Sequence, residues 1–394
     1  MSNQDSIGPD AGIAADATAW RRDIHRNPET LYDVHRTAGL VAERLRAFGC
    51  DEVVTGIGRT GVVGVIRGKA AAGGGAARTV GLRADMDALP IAEQTNLPYA
   101  SQVPGKMHAC GHDGHTAMLL GAARRLCETR DFAGTAVCVF QPAEEGGAGA
   151  RAMIQDGLMT RFGIDEVYGM HNLPGLAVGR FALRPGPIMA AADRFEIDVE
   201  GRGGHAAQPH QTVDPVLVGA HIVTLAQSIV SRSVDPLEAC VVSITVFQAG
   251  SAQNAIPQTA KLAGTTRTLT PEMRDLAEAR LRSIATSVAT AHGATATVRY
   301  SRGYPVTRND PAKARVAEAA ATAVAGAERV EGAIPPIMGA EDFSYMLEAR
   351  PGAFVFIGNG DTAGLHHPGY DFNDEAIPHG IGYWVRLVET VLAA

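Results

Sequence analysis

"GTAVCVFQPAEEGG", Gly134 to Gly147, decides how this chain is built. Thr135 to Phe140 is a short apolar run bounded by glycine and proline, the pattern of a strand buried on both faces. Pro142 stops it, and two adjacent carboxylates, Glu144 and Glu145, follow at once. Polar, reactive residues just past a buried strand are where open α/β sheets place their sites.

The same plan recurs outward along the chain. "GVVGVIRG" (61–68) and "RTVGLRADM" (78–86) read as strands. The glycine–alanine stretch from Ala70 to Ala77 reads as a mobile hairpin tip between them. "IDEVYGMHNLPG" predicts a strand over Glu166 to Met170 with His171 at its exit, and "GAFVFIGNG" a further buried strand. Helices are expected over about Asp16 to His25, with Trp20 and Ile24 on one face and Pro28 beyond, and over Thr37 to Phe48, closed by Gly49. "HTAMLLGAARRLCETR" from His115 predicts a third. Strands alternating with helices imply an α/β layer structure with a central, mostly parallel sheet.

The texture changes after "RPGPIM". From Phe195 to Tyr300 the order is strand, helix, strand, strand, helix, strand, the β-α-β-β-α-β pattern of ferredoxin-like domains. Glycine- and proline-rich hinges, "RPGPIM" and "SRGYP", bracket it. We therefore expect an inserted domain over 188–305 and one discontinuous catalytic domain made of 1–187 and 306–394.

At 394 residues the chain is long enough for two domains. Its formal charge of −7 argues against a nucleic-acid partner, which calls for a basic groove. No run of 18 apolar residues predicts a membrane span. The N-terminus is polar, without a basic-then-apolar leader, and the cysteines at 50, 110, 127, 138 and 240 are scattered and odd in number. These features predict a cytoplasmic protein with reduced thiols.

"HACGHDGHTAM", His108 to Met118, crowds three histidines, a cysteine and an aspartate into one turn. Cys110 and His112 form a C-x-H pair that can reach one metal ion, with zinc, nickel, cobalt and manganese all compatible with such donors. Of Glu144 and Glu145, one can ligate while the other stays free to move protons, the division that metal-assisted hydrolysis requires. His171 and the pair His366–His367 add imidazoles, each near a strand end or a turn and each followed closely by proline. A rival reading makes Cys110 a nucleophile with His112 or His108 as base, but leaves the twin glutamates and the distant histidines without a task. A third reading is a metal-storing or ligand-binding protein on the same scaffold.

Taken together, "RADMDALP", "HACGHDGH", "FQPAEEGGAGA", "GMHNLP", "GRGGHAAQPH" and "LHHPGYDFND" resemble the metal-dependent aminoacylase and hippurate hydrolase family, over nearly the whole chain and in order. The resemblance implies two divalent ions (Mn, Zn, Co or Ni) in an α/β catalytic domain with a dimerising lid, and an N-acyl amino acid as substrate. By the same resemblance, Cys110 is the bridging thiolate, His112, His171, Glu145 and His366 are further ligands, and Glu144 is the general base. His366 is chosen over His367 because related motifs read His-x-Pro. Asp85 stands where peptidase relatives carry a ligand histidine, and Asp87 where they carry an orienting aspartate. In the inserted domain, His205 matches a lid histidine that reaches the scissile carbonyl, in many relatives from the partner subunit. Asn254 and Arg267 resemble residues that grip the substrate carboxylate.

Overall fold

The computed structural model describes residues 11–70 and 78–393. They separate into two compact units. The first comprises the chain up to Ile188, then Arg308–Pro335 and Asp342 onward. The second comprises Met189–Thr307 and the short return Pro336–Glu341.

The first unit is built on an eight-stranded sheet. Its early strands are β1 (Glu52–Ile57), β2 (Gly61–Arg67), β3 (Thr79–Asp85), β4 (Thr135–Gln141), β5 (Glu166–Leu173) and β6 (Phe181–Ala182). The spatial order is β1-β2-β4-β3-β5, then Gly352–Gly358, β6 and Val330–Glu331. The middle block of β4, β3, β5 and Gly352–Gly358 is parallel, β2 pairs antiparallel to β4, and β1 pairs antiparallel to β2. The block is buried nearly throughout, as continuous apolar runs require when both faces are covered. Ile13, Ala17 and Trp20 of α1 (Ala11–Arg26) share a core with Val41 and Leu45 of α2 (His35–Phe48). Met118 and Leu119 of α3 (His112–Thr129) and Trp384 of the C-terminal helix belong to the same core.

Several expectations change in detail. β2 and β3 are not hairpin partners, because β4 lies between them. Of the glycine–alanine stretch expected at a hairpin tip, residues 71–77 lie outside the described part. α3 starts at His112, three residues before the expected start, so His112 and Asp113 stand in its first turn. β5 runs on to Leu173, which puts His171 inside the strand near its carboxyl end. α2 does close at Gly49, in the left-handed region with φ 84.

The second unit is a four-stranded antiparallel sheet in the order Cys240–Ala249, Thr259–Thr268, Ala191–Glu200, Thr295–Arg302. Helices Pro215–Ser228 and Pro271–Ala291 complete the β-α-β-β-α-β order. Ile222, Ala226, Leu281 and Ala285 of these helices pack with Ile197 and Leu262 of the strands. The segment Pro215–Ser233 is long and apolar enough, by length and composition alone, to cross a membrane. Its Val218, Ile222, Ala226 and Ile229 are instead buried in this core.

Candidate metal centre

The site lies at the carboxyl ends of the parallel strands, as expected for an open α/β sheet. Asp87 follows β3, the Glu144–Glu145 turn follows β4, His171 ends β5, and His366 lies beyond Gly352–Gly358.

Asp87 sets the glutamate turn. Its Oδ1 accepts the Glu144 N–H at 2.9 Å and its Oδ2 the Glu145 N–H at 3.1 Å. Ala143, at φ 55, and Gly146, at φ 89, let the chain make this turn through the left-handed region. The backbone N–H of Asp342 donates to Glu144 Oε1 at 3.3 Å. Asp342 is itself fixed, its carboxylate accepting from Arg83 Nη2 at 3.0 Å, Gln141 Nε2 at 2.7 Å and the Ala150 N–H at 2.9 Å.

The histidines are oriented by carbonyls. His112 Nδ1 lies 2.7 Å from the Asp87 carbonyl oxygen, so it carries the proton and leaves Nε2 as a lone-pair donor. His171 Nδ1 does the same toward the Asn172 carbonyl at 2.7 Å. His171 Nε2 faces Cys110 Sγ at 3.4 Å, and His366 Nε2 faces Glu145 Oε1 at 3.3 Å. Cys110, His112 and His171 form one group of converging ligand atoms, and Cys110, Glu145 and His366 form another, each within 4.8 Å. Cys110 belongs to both. All are buried or nearly so except His366, whose side chain is 52% exposed and marks the solvent side.

Two buried atoms test whether cations fit here. His112 Nε2 and Glu145 Oε1 have no hydrogen-bond partner among the described residues, and they face each other across 4.0 Å. A bound cation would satisfy both. Orphaned buried polar atoms are costly unless something binds them. Burial also pushes the Cys110 thiol well up, His112 opposing, and draws His171 well down, with His115 adding to the effect. Burial would raise Glu145, but the neighbouring imidazoles of His366 and His112 carry it down. A thiol held protonated by burial is the reverse of an activated nucleophile, which weighs against the cysteine-hydrolase reading. A bound cation reverses this local logic and stabilises the thiolate. The donor set fits divalent ions.

Asp85 lies beside this group, but its carboxylate is already engaged. Oδ2 accepts from Arg83 at 2.8 Å, and Oδ1 lies 2.6 Å from His115 Nδ1. His115 Nε2 lies 2.7 Å from Asn172 Oδ1, and Asn172 Nδ2 donates to the Tyr370 hydroxyl at 2.6 Å. His115, Asn172, Tyr370 and Asp342 escaped the sequence reading as site residues. His115 and Asn172 lie inside quoted motifs, but their partners are tertiary. Asp342 acts through its backbone N–H, which no residue type announces. His108, the rival base, is buried with neither ring nitrogen partnered among the described residues.

The other three predicted residues lie on the second unit. His205 pairs with Ala255, and the Ala206 N–H donates to the Asn254 carbonyl at 3.0 Å, which brings His205 and Asn254 together at one exposed edge. Arg267 stands near the far end of the strand Thr259–Thr268, half-buried, its Nη1 donating to the Thr266 carbonyl at 2.9 Å. Eight residues of strand separate it from Thr259, about 27 Å. The structure therefore does not bring Arg267 and Asn254 together within one unit.

An open α/β sheet carrying a sulfur, imidazole and carboxylate donor set with a second glutamate beside it defines a metal-dependent hydrolase. The profile of peptidase family M20/M25/M40 matches residues 81–390, and the chain belongs to that family. It is 42% identical over 367 residues to a hippurate hydrolase of Campylobacter jejuni, covering 93% of this chain and 94% of the relative. It is 39% identical over 373 residues to an N-acetylcysteine deacetylase of Bacillus subtilis, covering 94% and 96%. Among solved structures it is similar to YXEP of Bacillus subtilis, described as a dinuclear metal-binding peptidase of the M20 family. That match has a TM-score of 0.84 and 35% identity and covers 97% and 99% of the two chains. That neighbour is described as binding two metal ions, and here two of the converging donor groups share Cys110.

Proposed function

We propose that this enzyme hydrolyses the amide bond joining an acyl group to the nitrogen of an amino acid. The observation that carries the reading is Glu144, a buried carboxylate held by Asp87 and Asp342 at the edge of the donor cluster. The names of the hippurate hydrolase and the N-acetylcysteine deacetylase both describe release of an acyl group from an amino acid, which supports this substrate class.

Cys110, His112, Glu145, His171 and His366 would hold the two ions, with manganese, zinc, cobalt and nickel all suited to these donors. When bound, such ions act as Lewis acids that polarise water and carbonyl oxygen. Glu144 accepts a proton from the water that attacks the acyl carbonyl. It then delivers that proton to the amide nitrogen as the C–N bond breaks, releasing the carboxylic acid and the amino acid. His205 stabilises the developing oxyanion, and Asn254 and Arg267 hold the free carboxylate.

Arg267 and the His205–Asn254 edge are too far apart on one unit to grip one small substrate. Service of a common active site by all three therefore requires two chains, which supports a homodimer. Reduced thiols in a reducing compartment fit the five free cysteines.

Glu144→Gln keeps the shape and removes the proton shuttle. It is expected to retain its metal content while kcat falls by about 10²–10⁴. Near-normal kcat in this variant, measured on acetyl- and benzoyl-amino acids with elemental analysis in parallel, would show that Glu144 is not the base.

A further inference from the structure

The mechanism uses one of five cysteines, Cys110. Cys138 is fully buried on β4, and Cys240 is buried in the second unit. Cys50 and Cys127 differ from these: 77 positions apart in sequence, their sulfurs lie 3.6 Å apart. Cys50 follows the glycine that closes α2, and its N–H donates to the Leu45 carbonyl at 3.2 Å. Cys127 stands in the last turn of α3.

Arg130 clamps the two helix ends. Its guanidinium donates to the Gly49 carbonyl at 2.7 Å, the Arg67 carbonyl at 2.9 Å and Asp51 Oδ2 at 2.7 Å. The thiols are thus held in register by the backbone on both sides. Cys50 is partly exposed, so a small oxidant can reach it from solvent. The two sulfurs share one contact, in which either thiol can donate. A disulfide needs a sulfur–sulfur distance of about 2.05 Å, so the sulfurs must close by about 1.5 Å, within reach of side-chain rotation.

We propose that Cys50 and Cys127 are a modification site, a thiol pair that closes reversibly to an intramolecular disulfide on exchange with a small-molecule disulfide. The Cys50 thiolate attacks one sulfur of the oxidant, forming a mixed disulfide and releasing one thiolate. The Cys127 thiolate attacks the Cys50 sulfur, forming the Cys50–Cys127 bond and expelling the second thiolate. The two protons from the cysteines end on the two released thiols, and the oxidant is reduced by two electrons. The closed ring contains β1, β2, β3 and the Cys110–His112 turn, and ties the end of α2 to the helix that begins at His112.

The test uses the full-length, metal-loaded protein incubated with oxidised glutathione, then alkylated, denatured and mapped without reduction. The wild type is expected to lose two of its five thiols. A peptide pair linked through Cys50 and Cys127 should appear, and dithiothreitol should restore both thiols. Cys50→Ser should keep all its remaining thiols, and Cys127→Ala should trap Cys50 as the glutathione mixed disulfide. Neither substitution should change hydrolysis, since neither residue touches the metal centre. Retention of all five thiols by the wild type would overturn the proposal. So would a cross-link to Cys110, or wild-type Cys50 halting at the mixed disulfide. The readout does not depend on substrate, so its failure is separate from any failure of the hydrolase reading.

Discussion

Twin carboxylates repel when they share one environment, and here both converge within 4.8 Å on His112, whose charge offsets that repulsion, while Asp87 fixes the turn that carries them. With each oxygen on a separate backbone N–H, it fixes a turn from which Glu145 reaches toward His112 and His366 while Glu144 reaches toward the Asp342 N–H. The residues proposed to carry metal chemistry were legible in the sequence because cysteine, histidine and paired glutamate advertise themselves. Asp342, His115 and Asn172 were not, because each works through a partner that only folding supplies. The same holds for His25, a buried imidazole 2.8 Å from the Asp113 carboxylate and 3.4 Å from Glu93. Burial disfavours its charge, but Asp113 overrides that and raises it from 6.5 to about 9. A raised folded-state value means the proton stabilises the fold. That contribution is complete below pH 6.5 and is lost as pH climbs through about 9. It amounts to about 3 kcal/mol. Denaturant unfolding at pH 6 and pH 10 is expected to show the loss in the wild type and a much smaller one in His25→Gln. Equal losses in both proteins would assign the pH dependence to other groups.

At the level of elements, the buried strands were read well because a fully covered parallel strand is a bare apolar run, with little else it can be. Errors arose where polarity hid burial. "HDGH" looks like a loop, yet it opens α3, because Gly111 takes φ 92 at the helix entrance. A Cβ there would sit 2.2 Å from Asn172 Oδ1, so the turn also depends on the close approach of β5. The antiparallel edge strand β1 went unread, since it is short and half of its residues are exposed, which leaves no buried apolar run to read. The pairing of β2 with β4 was equally invisible, because strand order is settled by long-range packing and not by adjacency in the chain. The second unit was legible in outline because its β-α-β-β-α-β order is itself the signature of its sheet.

At the scale of the molecule, the roles proposed for Arg267, His205 and Asn254 make a definite demand on assembly. Chains carrying Glu144→Gln and chains carrying His205→Ala should each be nearly inactive alone. Co-refolded in equal amounts, random pairing yields hybrids in which one of two sites carries neither defect, restoring about a quarter of wild-type activity. A mixture no more active than its parts would place His205 and Glu144 in the same chain's site, or His205 outside it. In the proposed centre, Cys110, His112, Glu145, His171 and His366 would hold the two cations. Its most direct measurement is the number of divalent ions that metal-stripped protein takes up in a titration read by elemental analysis, with Cys110→Ala alongside. Two ions per wild-type chain and fewer than one in the variant is the predicted result. Uptake unaffected by loss of Cys110 would contradict it.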